Sequence, residues 1–178
     1  MPEQKTLVMK FGGTSVGSVD ALISATQIIR DAKNDWDRVI VVTSAMSGVT
    51  NLLLDSAASA SHGKVDSLPQ AESTLREKHF SVADALIKDE KLRDETKAEI
   101  NALIISLVDL CKAIAVLGES SPRALDAVAS LGERMSVRLL AAVTNEAGIK
   151  AAWIESASFV VTNAHFQNAN PDFKVTTE

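Results

Sequence analysis

Short apolar runs and helical stripes alternate along the first third of the chain. Thr6 to Phe11 reads as a strand. From Val19 to Lys33, the residues Leu22, Ile23, Ile28 and Ile29 gather on one side of a helix. Asn34-Asp35 breaks that pattern, and Arg38 to Thr43 follows as a continuous Val/Ile run. A run that is apolar throughout predicts a central strand buried on both faces, as in a parallel sheet. Strand, helix, strand then makes one right-handed crossover unit.

Further along, Ser44 to Thr50 is a loop of small residues leading into a helix near Asn51 to Ser61, which His62-Gly63 ends. From about Pro69 to Cys111 the chain is helical and well charged. Ile100, Leu103, Ile104, Leu107, Cys111 and Ile114 form a long stripe, predicting a helical hairpin packed on the core. Gly118 closes the second helix. Ser121-Pro122 has the form of an N-cap followed by proline at the first helical position. The next helix carries Leu125, Val128, Leu131, Met135, Leu139 and Leu140 and ends near Gly148. Ala151 to Ile154 predicts a third strand, and Phe159 to Thr162 a fourth.

Composition narrows the class. At 178 residues the chain is one domain with room for a sizeable core. Apolar residues at 46% and charged residues at 23% are ordinary for a soluble globular protein. A net charge of −5 argues against a general nucleic-acid surface, so bound phosphate must be held by local geometry. Cys111 is the single cysteine, so no internal disulfide forms and a reducing interior is expected. Its place in an apolar stripe predicts core packing. Met1 to Lys5 lacks a hydrophobic signal core, and no apolar run reads as long enough to span a bilayer. A cytoplasmic protein with no membrane or nucleic-acid partner is the expectation.

The candidate chemistry begins at Lys10-Phe11-Gly12-Gly13-Thr14-Ser15-Val16-Gly17. A strand, a glycine-rich turn and a helix start form an anion site, because backbone N–H groups and the positive end of the helix dipole face the ligand. Gly12 and Gly13 allow close approach. Thr14 and Ser15 add hydroxyls, and Lys10 adds a mobile charge. Phosphate is the natural guest. The ordinary P-loop pattern is not met, since no Lys-Ser/Thr follows Gly17. The bland alternative is a tight turn with a solvated lysine.

A second loop, Ser44 to Thr50, also follows a strand, and ligands collect outside the carboxyl ends of strands in open α/β sheets. Ser44 and Thr50 offer hydroxyls to a carboxylate, although Thr50 could equally be a helix N-cap. Glu133 lies mid-helix after Gly132, a residue that costs about 1 kcal/mol relative to alanine there. A glycine in that place suggests close approach by another group, and the neighbouring carboxylate could hold an ammonium. The alternative is an ion pair with Arg134 or Arg138. His62, His79 and His165 show no metal-ligand spacing, and His79, in a charged helix, is expected to be solvated. No metal site is predicted.

Three segments in order resemble the aspartate kinases of the amino-acid kinase superfamily. They are the octet from Lys10, the stretch Val41 to Asn51, and Gly132-Glu133-Arg134-Met135-Ser136. The resemblance implies an α/β fold: a three-layer α/β/α sandwich with a mainly parallel sheet, incomplete in this chain. It spans residues 1–178 as the amino-terminal part of a catalytic domain. Family members continue into a Gly-Arg-Gly-Gly-Ser-Asp-like segment, much of the nucleotide pocket and regulatory ACT domains, none of which this sequence matches. Thr162 to Ala169 resembles the next family segment but departs from it at Asn163 and Gln167.

The activity implied is transfer of the γ-phosphoryl of ATP to the β-carboxylate of L-aspartate, giving 4-phospho-L-aspartate on the way to lysine, threonine and methionine. The resemblance assigns Lys10 to catalysis, Lys10, Phe11, Gly12, Gly13, Thr14 and Ser15 to ATP phosphate, and Ser44, Thr50 and Glu133 to substrate. Glu133 is implied to bind the α-amino group. An aspartate carboxyl, with a reference pKa of about 3.9, is already ionised at neutral pH and needs no general base. The difficulty is repulsion between two anions, which Lys10, the first loop and Mg²⁺ relieve. Mg²⁺ is expected to be held mainly by nucleotide oxygens and water. An unpaired sheet edge predicts a homo-oligomer, and the isolated chain is expected to lack turnover. The competing readings are a kinase acting on glutamate or a nucleotide, a non-catalytic binding module, and an inert product of a shortened reading frame.

Overall fold

The computed structural model describes residues 4–176. Its elements run β1 (Thr6–Phe11), α1 (Val19–Asp35), β2 (Arg38–Thr43), α2 (Val49–Ser61), α3 (Leu68–Leu86), α4 (Glu90–Leu117), α5 (Pro122–Glu146) and a short α6 (Phe173–Thr176). Single 3-10 turns occupy Gly13–Ser15 and Ser156–Ser158. β1 and β2 pair in parallel, from Thr6 opposite Arg38 to Phe11 opposite Thr43. The crossover between them is α1, as the pattern predicts.

Strand side chains alternate between faces. Phe11 joins the core, with Met9 and Val41 packed against it, while Val8, Ile40 and Val42 remain 62%, 44% and 49% exposed. β2 is therefore not buried on both faces. Among the described residues the helices cover one side of the sheet, which gives the α/β fold in part. The continuous Val/Ile run suits a covered second face, but it does not itself supply the cover.

The core lies where α2, α4 and α5 meet, with Leu53, Ile104, Leu107, Leu131 and Met135 all shut off from solvent. Side-chain oxygens cap three helices: Ser18 accepts from Ala21 N–H at 3.2 Å, Asp89 from Leu92 at 2.8 Å and Ser121 from Ala124 at 3.2 Å. Gly118 ends α4 in the left-handed conformation with φ of 72°. α1 runs through Asn34 and Asp35 instead of stopping before them, and the Trp36 N–H closes it on Ala32.

The third and fourth strands do not form. Both backbone groups of Ala151 are taken by the Asn145 side chain, at 3.0 and 2.9 Å, and Trp153 stacks on Arg138 with the guanidinium 3.8 Å from the ring centre. Farther on, Val160 N–H folds back to Ser156, and Val161 is held by the Thr176 hydroxyl. Local side-chain partners have displaced ladder pairing. Helix α4 also corrects the reading that no apolar run could span a bilayer: by length and composition it is long enough. One stripe of it, Ile100 to Ile114, is sunk in the core.

His79 is a further correction. It is fully buried, with Nδ1 2.7 Å from the Leu75 carbonyl and Nε2 without a partner. The charged sequence around it occupies the other faces of α3. Burial lowers its pKa, with the Leu75 hydrogen bond opposing and nearby Lys78 assisting.

Candidate functional site

The first loop leaves the end of β1. Lys10 sits opposite Val42 on the open sheet face. Its ammonium curls over the strand end, 3.9 Å from where a Cβ on Gly12 would lie. The Phe11 side chain belongs to the core, so only its backbone faces the loop; its carbonyl accepts from Ser44 N–H at 3.1 Å. Thr14 and Ser15 are exposed on the 3-10 turn, where Ser15 N–H is spent on the Gly12 carbonyl at 2.9 Å. The glycine turn does not run directly into α1, which has its own cap at Ser18. The predicted alignment of this loop with a long helix dipole is therefore not realised.

The second loop leaves the end of β2 and lies against the first. Ser47 N–H donates to the Gly13 carbonyl at 3.2 Å. A Cβ on Gly13 would come 2.7 Å from the Ala45 carbonyl oxygen, and one on Gly17 would come 2.7 Å from the Gly13 oxygen. Backbone cannot yield at those distances, so both positions require glycine. Gly48, with φ of 80°, is the N-cap of α2. Thr50 is thus one residue inside the helix, and its hydroxyl is not the cap.

Helix α5 closes the third side. Gly132 is packed so tightly that a Cβ there would meet the Ala45 Cβ at 2.7 Å, the Val49 side chain at 3.3 Å and the Leu53 side chain at 3.4 Å. This contact lets Glu133 reach the loop: its Oε1 accepts from Ala45 N–H at 3.4 Å, a long and weak hydrogen bond. One turn on, the Ser136 and Thr43 hydroxyls lie 3.4 Å apart. The loops after β1 and β2 and the middle of α5 therefore meet, and Gly132 is approached closely by another group, as its place in the helix suggested.

Glu133 does not pair with its neighbouring arginines. Glu155 takes both, through Arg138 at 2.6 Å and Arg134 at 3.0 Å. Arg138 is 8% exposed and also pairs with Glu99 at 3.4 Å. The Arg138 hydrogen bond, followed by that of Arg134, holds the Glu155 carboxyl below its ordinary range against the opposing effect of burial. Side chains three and four apart face one another on a helix, and adjacent ones do not. Glu133 and Arg134 accordingly serve different sides of α5.

Ala45, Ser47 and Gly17 complete the junction; they lie inside the two loops that the sequence marked but were assigned no role of their own. The available signal was the recurrence of small residues in both loops, which close backbone packing demands. No group of three or more histidine, cysteine, aspartate or glutamate side chains suited to a metal ion occurs among the described residues.

Residues 5–177 match the family model described as the amino acid kinase family. The chain is 31% identical over 178 residues to an aspartokinase of Schizosaccharomyces pombe, covering 97% of this chain and 34% of that protein. It is 31% identical over 172 residues to the lysine-sensitive aspartokinase 3 of Escherichia coli, covering 97% of this chain and 36% of that one. The crystal structure of E. coli aspartokinase III in complex with aspartate and ADP superposes with a TM-score of 0.80 at 29% identity, over 97% of this chain and 36% of that one. The chain thus spans about a third of the length of these relatives and corresponds to their amino-terminal part.

Proposed function

This chain belongs to the amino acid kinase family, and from that premise we propose that it forms the aspartate- and phosphate-binding front part of an aspartate kinase. The observation that carries this reading is the junction of Gly13, Ala45 and Glu133. It sets a carboxylate that neither Arg134 nor Arg138 pairs with, since both go to Glu155, beside loops rich in small residues at parallel strand ends. The ADP- and aspartate-bound E. coli relative supports the choice of ligands.

In this reading Glu133 takes the α-ammonium of aspartate, and the Ser44 and Thr50 hydroxyls meet a substrate carboxylate. The β-carboxylate is the nucleophile and attacks the γ-phosphorus as the bond to the ADP oxygen breaks. No proton need be removed first, because the acid is already ionised. Lys10 and the backbone of Gly12 and Gly13 offset charge on the phosphoryl oxygens, which is where catalysis of such transfers concentrates. Magnesium, which would lessen anion repulsion, fits as a companion of the nucleotide, with oxygen ligands from phosphate and water.

Equilibrium dialysis of this chain with labelled L-aspartate tests the assignment. Saturable binding that N-acetylaspartate fails to displace is expected, since acetylation removes the ammonium that Glu133 would hold. Displacement by glutamate as effective as by aspartate itself would transfer the reading to a glutamate kinase.

A further inference from the structure

The two loops have a third contact that the reading above does not use. It comes from Lys78 on α3, a half-buried residue whose ammonium donates to the Ser47 carbonyl at 3.3 Å. The N–H of the same Ser47 donates to the Gly13 carbonyl at 3.2 Å. A two-step chain therefore runs from Lys78 through Ser47 to the glycine pair. Its other end faces Lys10, whose ammonium lies over Gly12.

From this chain we infer that Lys78 is a positioning residue of the phosphate-binding loops, holding Ser47 against Gly13 where an anionic phosphate is taken. The inference rests on the functional reading above. Ser47 packs close on loop 1, since a Cβ added at Gly13 or Gly17 would fall 3.4 or 3.3 Å from its nitrogen. Its carbonyl is held by Lys78 and its N–H by Gly13, so both of its backbone groups are fixed between α3 and loop 1. Charge points the same way: on a chain with net charge −5, an anion needs local cations.

The aspartate end of loop 2 has its own ties. Ser44 is bonded to Phe11, and Ala45 is bonded to Glu133. Loss of Lys78 should therefore weaken phosphate ligands and spare aspartate. A merely structural lysine would produce no such split.

The test is calorimetric titration of this chain with ADP in the presence of magnesium, and separately with L-aspartate. Lys78→Gln should weaken ADP binding about three- to tenfold, the scale of one half-buried charge-assisted hydrogen bond. Aspartate binding and melting temperature should stay unchanged, and Lys78→Arg should restore ADP binding. Three results overturn the inference alone: unchanged ADP binding in Lys78→Gln, an equal loss for both ligands, or failure of arginine to restore binding. A parent chain that binds neither ADP nor inorganic tripolyphosphate, which needs no adenosine pocket, ends the phosphate-loop reading and this inference with it.

Discussion

Gly132 and Ala45 are packed so closely that a single added carbon on Gly132 would lie 2.7 Å from the Ala45 Cβ. This contact brings α5 to the second loop and sets Glu133 beside it. Helix propensity alone predicts that Gly132→Ala stabilises α5 by about 1 kcal/mol. Overpacking predicts the opposite sign, a loss of about 1–3 kcal/mol, because Ala45, Val49 and Leu53 are all buried. Urea denaturation should show the loss, and aspartate binding should weaken as the loop is pushed off Glu133.

The Glu155 bridge predicts an acid-sensitive stability. The folded carboxyl is held below the ordinary value of 4.5. Its contribution is therefore complete above that value and is lost as pH falls through the lowered folded value. Glu155→Gln should cost about 1–3 kcal/mol at neutral pH, since Arg138 is buried and loses its nearest carboxylate. The difference between the two proteins should narrow toward pH 3 in parallel denaturation series.

His79 acts over a higher range. Its folded pKa lies below the ordinary 6.5, so the unfolded chain takes up the proton first. Stability is full above that value and falls as pH drops from 6.5 toward the folded value. His79→Met, of similar bulk and without the unpartnered Nε2, should flatten the stability profile between about pH 5 and 7. An unchanged slope would contradict the buried neutral histidine.

Cys111 is fully buried, and burial pushes its thiol up to about 11. Reaction with a thiol reagent at neutral pH should wait on unfolding, so the labelling rate should rise with urea in step with the unfolded fraction. Fast labelling of the folded chain would show α4 leaving the core.

Much of this arrangement is legible in the sequence because its causes are local. The Leu7-Val8-Met9 run, the Ser121-Pro122 cap and the stripe from Ile100 to Ile114 each fix an element through neighbours in the chain. The glycine at 132 likewise predicts close approach by another group, which the Ala45 contact realises. What the sequence hides depends on distant partners. Ala151 and Trp153 look like strand residues until Asn145 and Arg138 bind them. His79 looks solvated because its charged neighbours point elsewhere, and Thr50 looks like a cap because the left-handed turn at Gly48 cannot be read from residue type alone.

The central claim is that Glu133, presented through the Gly132–Ala45 contact, receives the ammonium of aspartate beside the two loops. Heteronuclear NMR titration of this chain with L-aspartate tests it most directly. The account predicts saturable shifts of the Ala45 and Ser44 amides, and at least a tenfold weaker midpoint in Glu133→Gln, as loss of a charge-paired contact of about 1.4 kcal/mol would give. Identical titrations of parent and variant, or shifts confined to residues far from Ala45, would contradict it.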